Sequence, residues 1–108
     1  MNRMQSMRSA ALLLALSLSA PTLAASAVVE IQKFAFSASE ITVAPGTTVE
    51  WINHDETPHT VIGAEHAFAS KGLDTGDKFA FTFEREGDYR YSCSLHPFMT
   101  GTVHVRRP

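Results

Sequence analysis

The chain has 108 residues, 44% of them hydrophobic and 19% charged, with a formal net charge of −2 when histidines are neutral. That length bounds it to one domain with a modest core, and the absence of any Lys/Arg-rich stripe argues against a nucleic-acid partner. A single cysteine excludes an internal disulfide framework and leaves three options: a free thiol, an intermolecular link or a metal ligand.

At the N-terminus Arg3 and Arg8 precede the apolar stretch AALLLALSLSA and the small-residue sequence PTLAASA. A short basic region, a short apolar core and an A-x-A-like exit describe a secretory signal peptide; a spanning helix needs about 20 apolar residues. The expectation is a leader over residues 1–25, cleaved between 24 and 27, and one domain over residues 26–108. The two arginines are not adjacent, which argues against a twin-arginine signal. Losing them leaves about −4 on the mature chain, with no membrane attachment expected. Met1, Met4 and Met7 leave as well, so Met99 becomes the sole methionine of the mature protein.

The rest reads as short strands. VVEIQKFAF (Val28 to Phe36) is rich in branched and aromatic residues, but its apolar parity shifts near Gln32 and Lys33, which predicts a bulge. ITV (Ile41 to Val43) leads into a turn at Pro45 and Gly46, and TVEWIN alternates with Val49 and Trp51 on one face. HTVI (His59 to Ile62) follows the break at Pro58 as a further strand. Gly63 to Asp77 has no clear period and is expected to be a long connection, with at most a helical turn. KFAFTFE aligns Phe79, Phe81 and Phe83; DYRYSC aligns Tyr89, Tyr91 and Cys93; TVHVR aligns Val103 and Val105. Seven or so short strands at this spacing predict an all-β β-sandwich with antiparallel pairing.

The chemistry concentrates at one strand end. Strand parity turns Cys93 toward the core where its strand runs out, His96 and Met99 follow at steps of three, and Pro97 restricts the loop between them. A fourth donor has to come from another strand end, and His59, just after Pro58, is the candidate. Two imidazoles, a thiolate and a weak thioether form the donor set of blue-copper electron-transfer sites, and the soft sulfurs favour Cu(I).

These segments resemble the cupredoxin (blue copper) family, and within it the amicyanin group: CSLHPFMTG keeps the short C-x-x-H-x-x-M spacing, and WINHDETPHTV is similar to the strand and first-histidine region. The resemblance runs from VVEIQKFAF to GTVHVRR. It implies an eight-stranded Greek-key sandwich, one copper ion held by His59, Cys93, His96 and Met99, and a periplasmic carrier rather than an enzyme. Its partners would be redox proteins such as a periplasmic dehydrogenase and a c-type cytochrome, and the protein itself a monomer. Three departures mark this chain: Thr60 where the family often has asparagine, Leu95 where amicyanins have proline, and a shorter interval from His59 to Cys93.

The remaining histidines, His54, His66 and His104, are expected at the surface, with a second metal site of His54 and Asp55 or Glu56 only weakly supported. Acidic Asp55, Glu56, Asp74 and Asp77 read mainly as solvated surface. Pro58, Leu95, Pro97 and Phe98 would frame an apolar patch around the edge of His96. Copper storage or delivery by the same ligands is the competing function. A thiol enzyme using Cys93 and His96 is disfavoured, because both lie in one tight loop with no evident group to orient the imidazole.

Overall fold

The computed structural model describes residues 25–108. The expected leader therefore lies, but for Ala25, outside the described residues. Eight strands follow: β1 (Ser26–Gln32), β2 (Ala35–Ser37), β3 (Glu40–Val43), β4 (Thr47–Asn53), β5 (Ile62–Gly63), β6 (Lys78–Phe83), β7 (Gly87–Ser92) and β8 (Thr100–Val105). They form two four-stranded sheets, ordered β2-β1-β4-β6 and β3-β8-β7-β5. Among the described residues no helix is long and apolar enough to cross a membrane.

Alternation explains how the sheets face each other. In β4, Thr47, Val49, Trp51 and Asn53 are buried while the residues between them are partly exposed. Val29 and Ile31 of β1, Phe36 of β2, Phe83 of β6, Tyr91 of β7 and Val103 and Val105 of β8 join the core from the strands, and Val61, Phe68, Leu73, Cys93 and Met99 from the connections. Each such side chain, removed from water, contributes about 1.5–3 kcal/mol by area, with Trp51 at its centre and fully buried.

Pairing corrects the expectation of a purely antiparallel sandwich. β1 runs parallel to β4, and β3 runs parallel to β8; the other pairs are antiparallel. Alternation reports which face is buried but not strand direction. Here β2 and β3 carry the chain across to the second sheet before β4 returns beside β1, the kind of long crossover that parallel neighbours need.

The bulge expected near Gln32 is instead a tight hairpin. Gln32 pairs with Ala35 of β2, and the two residues between, Lys33 and Phe34, both have φ of 56°. Positive φ at both central positions matches the right-handed twist of hairpin strands, which is why it restores pairing where the parity shifts. HTVI is likewise not a strand: only Ile62 belongs to β5, and His59, Thr60 and Val61 are all buried in succession. The segment after it contains the one expected short turn, a 3₁₀ helix at Ala64–His66, and then returns to pair Ala69 with Ile62 and Leu73 with His59.

Two local devices fix the second sheet. The Tyr89 hydroxyl donates to the Arg85 carbonyl at 2.8 Å, pinning the chain as it enters β7, as tyrosine corners do in Greek-key sandwiches. Gly101 faces Tyr91 across the β7–β8 ladder, and a Cβ there would run into the Tyr91 ring. Glycine thus allows the ring to lie against the backbone, edge-on to Trp51 at 5.3 Å.

Candidate metal centre

Cys93 lies one residue beyond the end of β7 and is fully buried. From there the chain makes two consecutive turns: His96 N–H donates to the Cys93 carbonyl at 3.3 Å, and Met99 N–H to the His96 carbonyl at 2.9 Å. Cys93 N–H then closes the loop on the Met99 carbonyl at 3.1 Å. Turns of this size return side chains to one side every three residues, which is the structural content of the C-x-x-H-x-x-M spacing. Met99 is buried at 2% exposure and His96 is half-buried.

His59 reaches the same point from the other side of the tip. Its backbone is clamped to Leu73 by reciprocal bonds of 3.1 and 2.7 Å, and its side chain is fully buried. The fully buried Asn53 shapes the loop leading to it: its amide donates to the carbonyls of Thr57 and Leu73, and its oxygen accepts the Asp55 N–H. Cys93 Sγ stands 3.7 Å from Nδ1 of His59 and 3.7 Å from Nδ1 of His96. The three donor atoms lie within 4.8 Å of one another, and no other such His/Cys/Asp/Glu group occurs among the described residues.

These distances suit an ion between them. A first-row metal about 2.0 Å from nitrogen and about 2.3 Å from sulfur, at angles between tetrahedral and trigonal, sets those donors about 3.5–3.7 Å apart. The chemistry narrows the choice to copper, since imidazole accepts both of its oxidation states and thiolate with thioether favours Cu(I).

The sulfur is prepared for this. Burial pushes the Cys93 thiol up, but the Thr60 N–H, at 3.4 Å from Sγ, leads a set of hydrogen bonds involving His96, His59 and the Leu95 backbone. Together they bring it down to about 6 from an ordinary 9.0, so thiolate is favoured at neutral pH. Thr60 does more than its identity indicates: its hydroxyl accepts the Ser94 N–H at 2.9 Å and lies 2.9 Å from the Ser94 hydroxyl, tying the two halves of the centre together.

Asp55 is the residue that sequence reasoning missed. It does not join His54 in a second metal site: His54 turns to Glu30 at 3.4 Å, while Asp55 Oδ2 meets His59 Nε2 at 2.8 Å. Nor is it a solvated surface group, with its side chain only 13% exposed. Desolvation raises its pKa, yet the Phe34 and Lys33 N–H groups and His59 outweigh that and hold it below the ordinary carboxylate value. The signal for it was an acceptor four residues before a candidate histidine, beside an asparagine that could fold the loop back.

Outside the centre, His54 and His66 are exposed as expected. His104 is only partly so, bridging Asp88 at 2.7 Å and Glu40 at 2.8 Å. Around the His96 edge Leu95 is 55% and Phe98 72% exposed, and Phe34 joins them at 41%.

Residues 23–106 match the family described as copper binding proteins, plastocyanin/azurin family. The amicyanin of Paracoccus versutus is 39% identical over 83 residues, covering 72% of this chain. The plastocyanin of Nostoc punctiforme is 31% identical and covers 67% of this chain and 65% of its own. A purple cupredoxin from Nitrosopumilus maritimus superposes with a TM-score of 0.69 at 34% identity, over 74% of this chain and 99% of that one. The match spans 63% of the length of the Paracoccus versutus amicyanin. Fold, donor set and matched sequence agree, and this chain belongs to the plastocyanin/azurin family of copper binding proteins.

Proposed function

We propose that the protein is an exported blue copper protein that carries single electrons between redox partners, with His59, Cys93, His96 and Met99 as its copper ligands. The observation that carries this reading is the convergence of one ring nitrogen each of His59 and His96 with Cys93 Sγ within 4.8 Å, both Nδ1 atoms standing 3.7 Å from the sulfur. The buried Met99 side chain on the same closed loop is the fourth donor of the set.

Bound copper supplies the one-electron Cu(II)/Cu(I) couple. The chain's part is to keep the donors in place while the charge changes. His59 is held through both ring nitrogens' surroundings and by backbone bonds to Leu73, Cys93 is fixed by Thr60 and by the closure of its own loop, and burial excludes water. His96 is the half-buried member, and its edge lies among Leu95, Phe98 and Phe34, so it is the group through which an electron leaves toward a docked partner.

The amicyanin relatives support partners of the redox-protein kind, and the resemblance points to a dehydrogenase as donor and a c-type cytochrome as acceptor. The basic-then-apolar N-terminal sequence supports export to the periplasm as the domain 26–108. In this reading the protein is a carrier and not an enzyme; the full burial of Cys93 Sγ, which keeps it from a substrate, weighs against thiol catalysis.

Potentiometric titration of the copper-loaded protein is the test. The expected result is an intense thiolate-to-copper colour that bleaches and returns reversibly with one electron per copper. A colourless Cu(I) protein that gives up its metal readily to a chelator would replace this reading with storage or delivery.

A further inference from the structure

Asp55 carries more contacts than a surface carboxylate needs. Its Oδ1 accepts the Lys33 N–H at 2.7 Å, and its Oδ2 accepts the Phe34 N–H at 3.0 Å and meets His59 Nε2 at 2.8 Å. Its own backbone is held on both sides, its N–H by Asn53 Oδ1 at 2.9 Å and its carbonyl by the Thr75 hydroxyl at 2.6 Å. An ionised carboxylate only accepts hydrogen bonds, so Nε2 of His59 carries the proton between them, and Nδ1 is the ring nitrogen left to face Cys93 Sγ.

The same carboxylate answers a second question. Lys33 and Phe34 are consecutive non-glycine residues in left-handed backbone, each at φ of 56°, a conformation that side chains disfavour and that persists only when the surroundings enforce it. The two N–H groups of that turn are the ones Asp55 binds. The turn in turn delivers the Phe34 ring edge-on to both imidazoles, 5.1 Å from His59 and 5.1 Å from His96, each at 87°.

We propose that Asp55 is a positioning residue with two linked tasks: it sets the tautomer of His59, and it clamps the Lys33–Phe34 turn so that Phe34 caps the gap between the two imidazoles. One carboxylate thus couples the buried copper ligand to an exposed aromatic of the face where His96 emerges. The part of this that concerns copper rests on the function proposed above; the tautomer and the clamp do not.

Asp55→Asn separates the tasks chemically. Asparagine offers one acceptor oxygen and one NH₂ group. If the oxygen faces Phe34 and His59, the NH₂ opposes the Lys33 N–H; if it faces Lys33, the NH₂ opposes Phe34 N–H and His59 Nε2–H. Either way a donor loses its partner, and the negative charge beside His59 is gone.

The first measurement uses the metal-free full chain. Nitrogen-15 NMR of the unsubstituted protein should show His59 protonated on Nε2, with the Lys33 and Phe34 amides protected from hydrogen exchange. In Asp55→Asn at least one of these amides should exchange about tenfold faster. A His59 without a proton on Nε2 in the unsubstituted protein, or turn amides that exchange at unchanged rates in the variant, would overturn the proposal. The second measurement is the potential of the copper-loaded pair. Losing a negative carboxylate behind a ligating histidine should weaken the oxidised site more than the reduced one, and so raise the potential. A potential that does not move overturns the electronic half. Should neither protein turn blue with copper, the function proposed above falls while the metal-free measurement still decides the role of Asp55.

Discussion

Thr60 occupies the position where family members often carry asparagine, and its contacts show how one residue type can do another's work. Its backbone N–H, which no substitution except proline removes, is the nearer donor to Cys93 Sγ at 3.4 Å; its hydroxyl bonds Ser94 and lies 3.8 Å from the same sulfur. The two roles can be separated. Thr60→Val keeps shape and the N–H while deleting the hydroxyl, so it should lower unfolding free energy by about 1 kcal/mol. Chemical denaturation of the metal-free protein measures this, and the copper-loaded variant should keep its colour. A variant as stable as the parent would mean that the Thr60–Ser94 link holds nothing together. At this scale the spacing of Cys93, His96 and Met99 pointed to the one closed loop that carries them, because that loop is local. Asp55 and Phe34 stayed hidden, since they meet His59 only after β1, β2 and the 53–59 loop have converged.

The strands teach a different lesson. Parity found the buried faces of β4, β6, β7 and β8 correctly, but it could not tell a bulge from a two-residue hairpin at Lys33–Phe34, as both shift the apolar phase by disrupting alternation. It also could not see that His59–Val61 is buried in succession, with the returning Gly63–Asp77 segment paired to it on one side and Cys93 and Ser94 against it on another, a tertiary event with no local period. His104 shows the same limit. Alternation placed it outward on β8, yet it bridges Asp88 of β7 and Glu40 of β3, with Arg106 also on Asp88 at 2.8 Å, so that three neighbouring strands are stapled across their outer face.

That staple has a pH signature. Hydrogen bonds to Asp88 and then Glu40 raise the pKa of His104, so its contribution is complete below its ordinary value of about 6.5 and is lost as pH rises through the raised value. Asp88 is lowered chiefly by its hydrogen bond to His104, against some desolvation, so its contribution is present above the ordinary carboxylate value and lost as pH falls through the lowered one. Thermal melts of the parent and His104→Gln should therefore differ most between those two limits and converge toward alkaline pH, with salt shrinking the gap. A difference that stays constant from acid to alkaline pH would contradict this assignment.

At the scale of the molecule, the two parallel pairs bring separate parts of the chain to one end of the sandwich. β7 delivers Cys93 from the sheet β3-β8-β7-β5, while the chain leaving β4 of the other sheet delivers His59. The centre is thus built across both sheets, over the core cluster of Trp51, Phe68 and Tyr91. Sandwich architecture was legible in the sequence because alternation and turn residues are short-range signals; which strands lie parallel was not, because direction depends on how the crossovers run. A single copper ion must therefore take donors from both the β4–β5 connection and the β7–β8 loop.

X-ray absorption at the copper edge, on the protein loaded with one equivalent of copper, tests this most directly. The account predicts a first shell of two imidazole nitrogens and one thiolate sulfur, with the sulfur lost in Cys93→Ser and one imidazole lost in His59→Ala. A shell of nitrogen and oxygen without sulfur, or one that His59→Ala leaves unchanged, would contradict it.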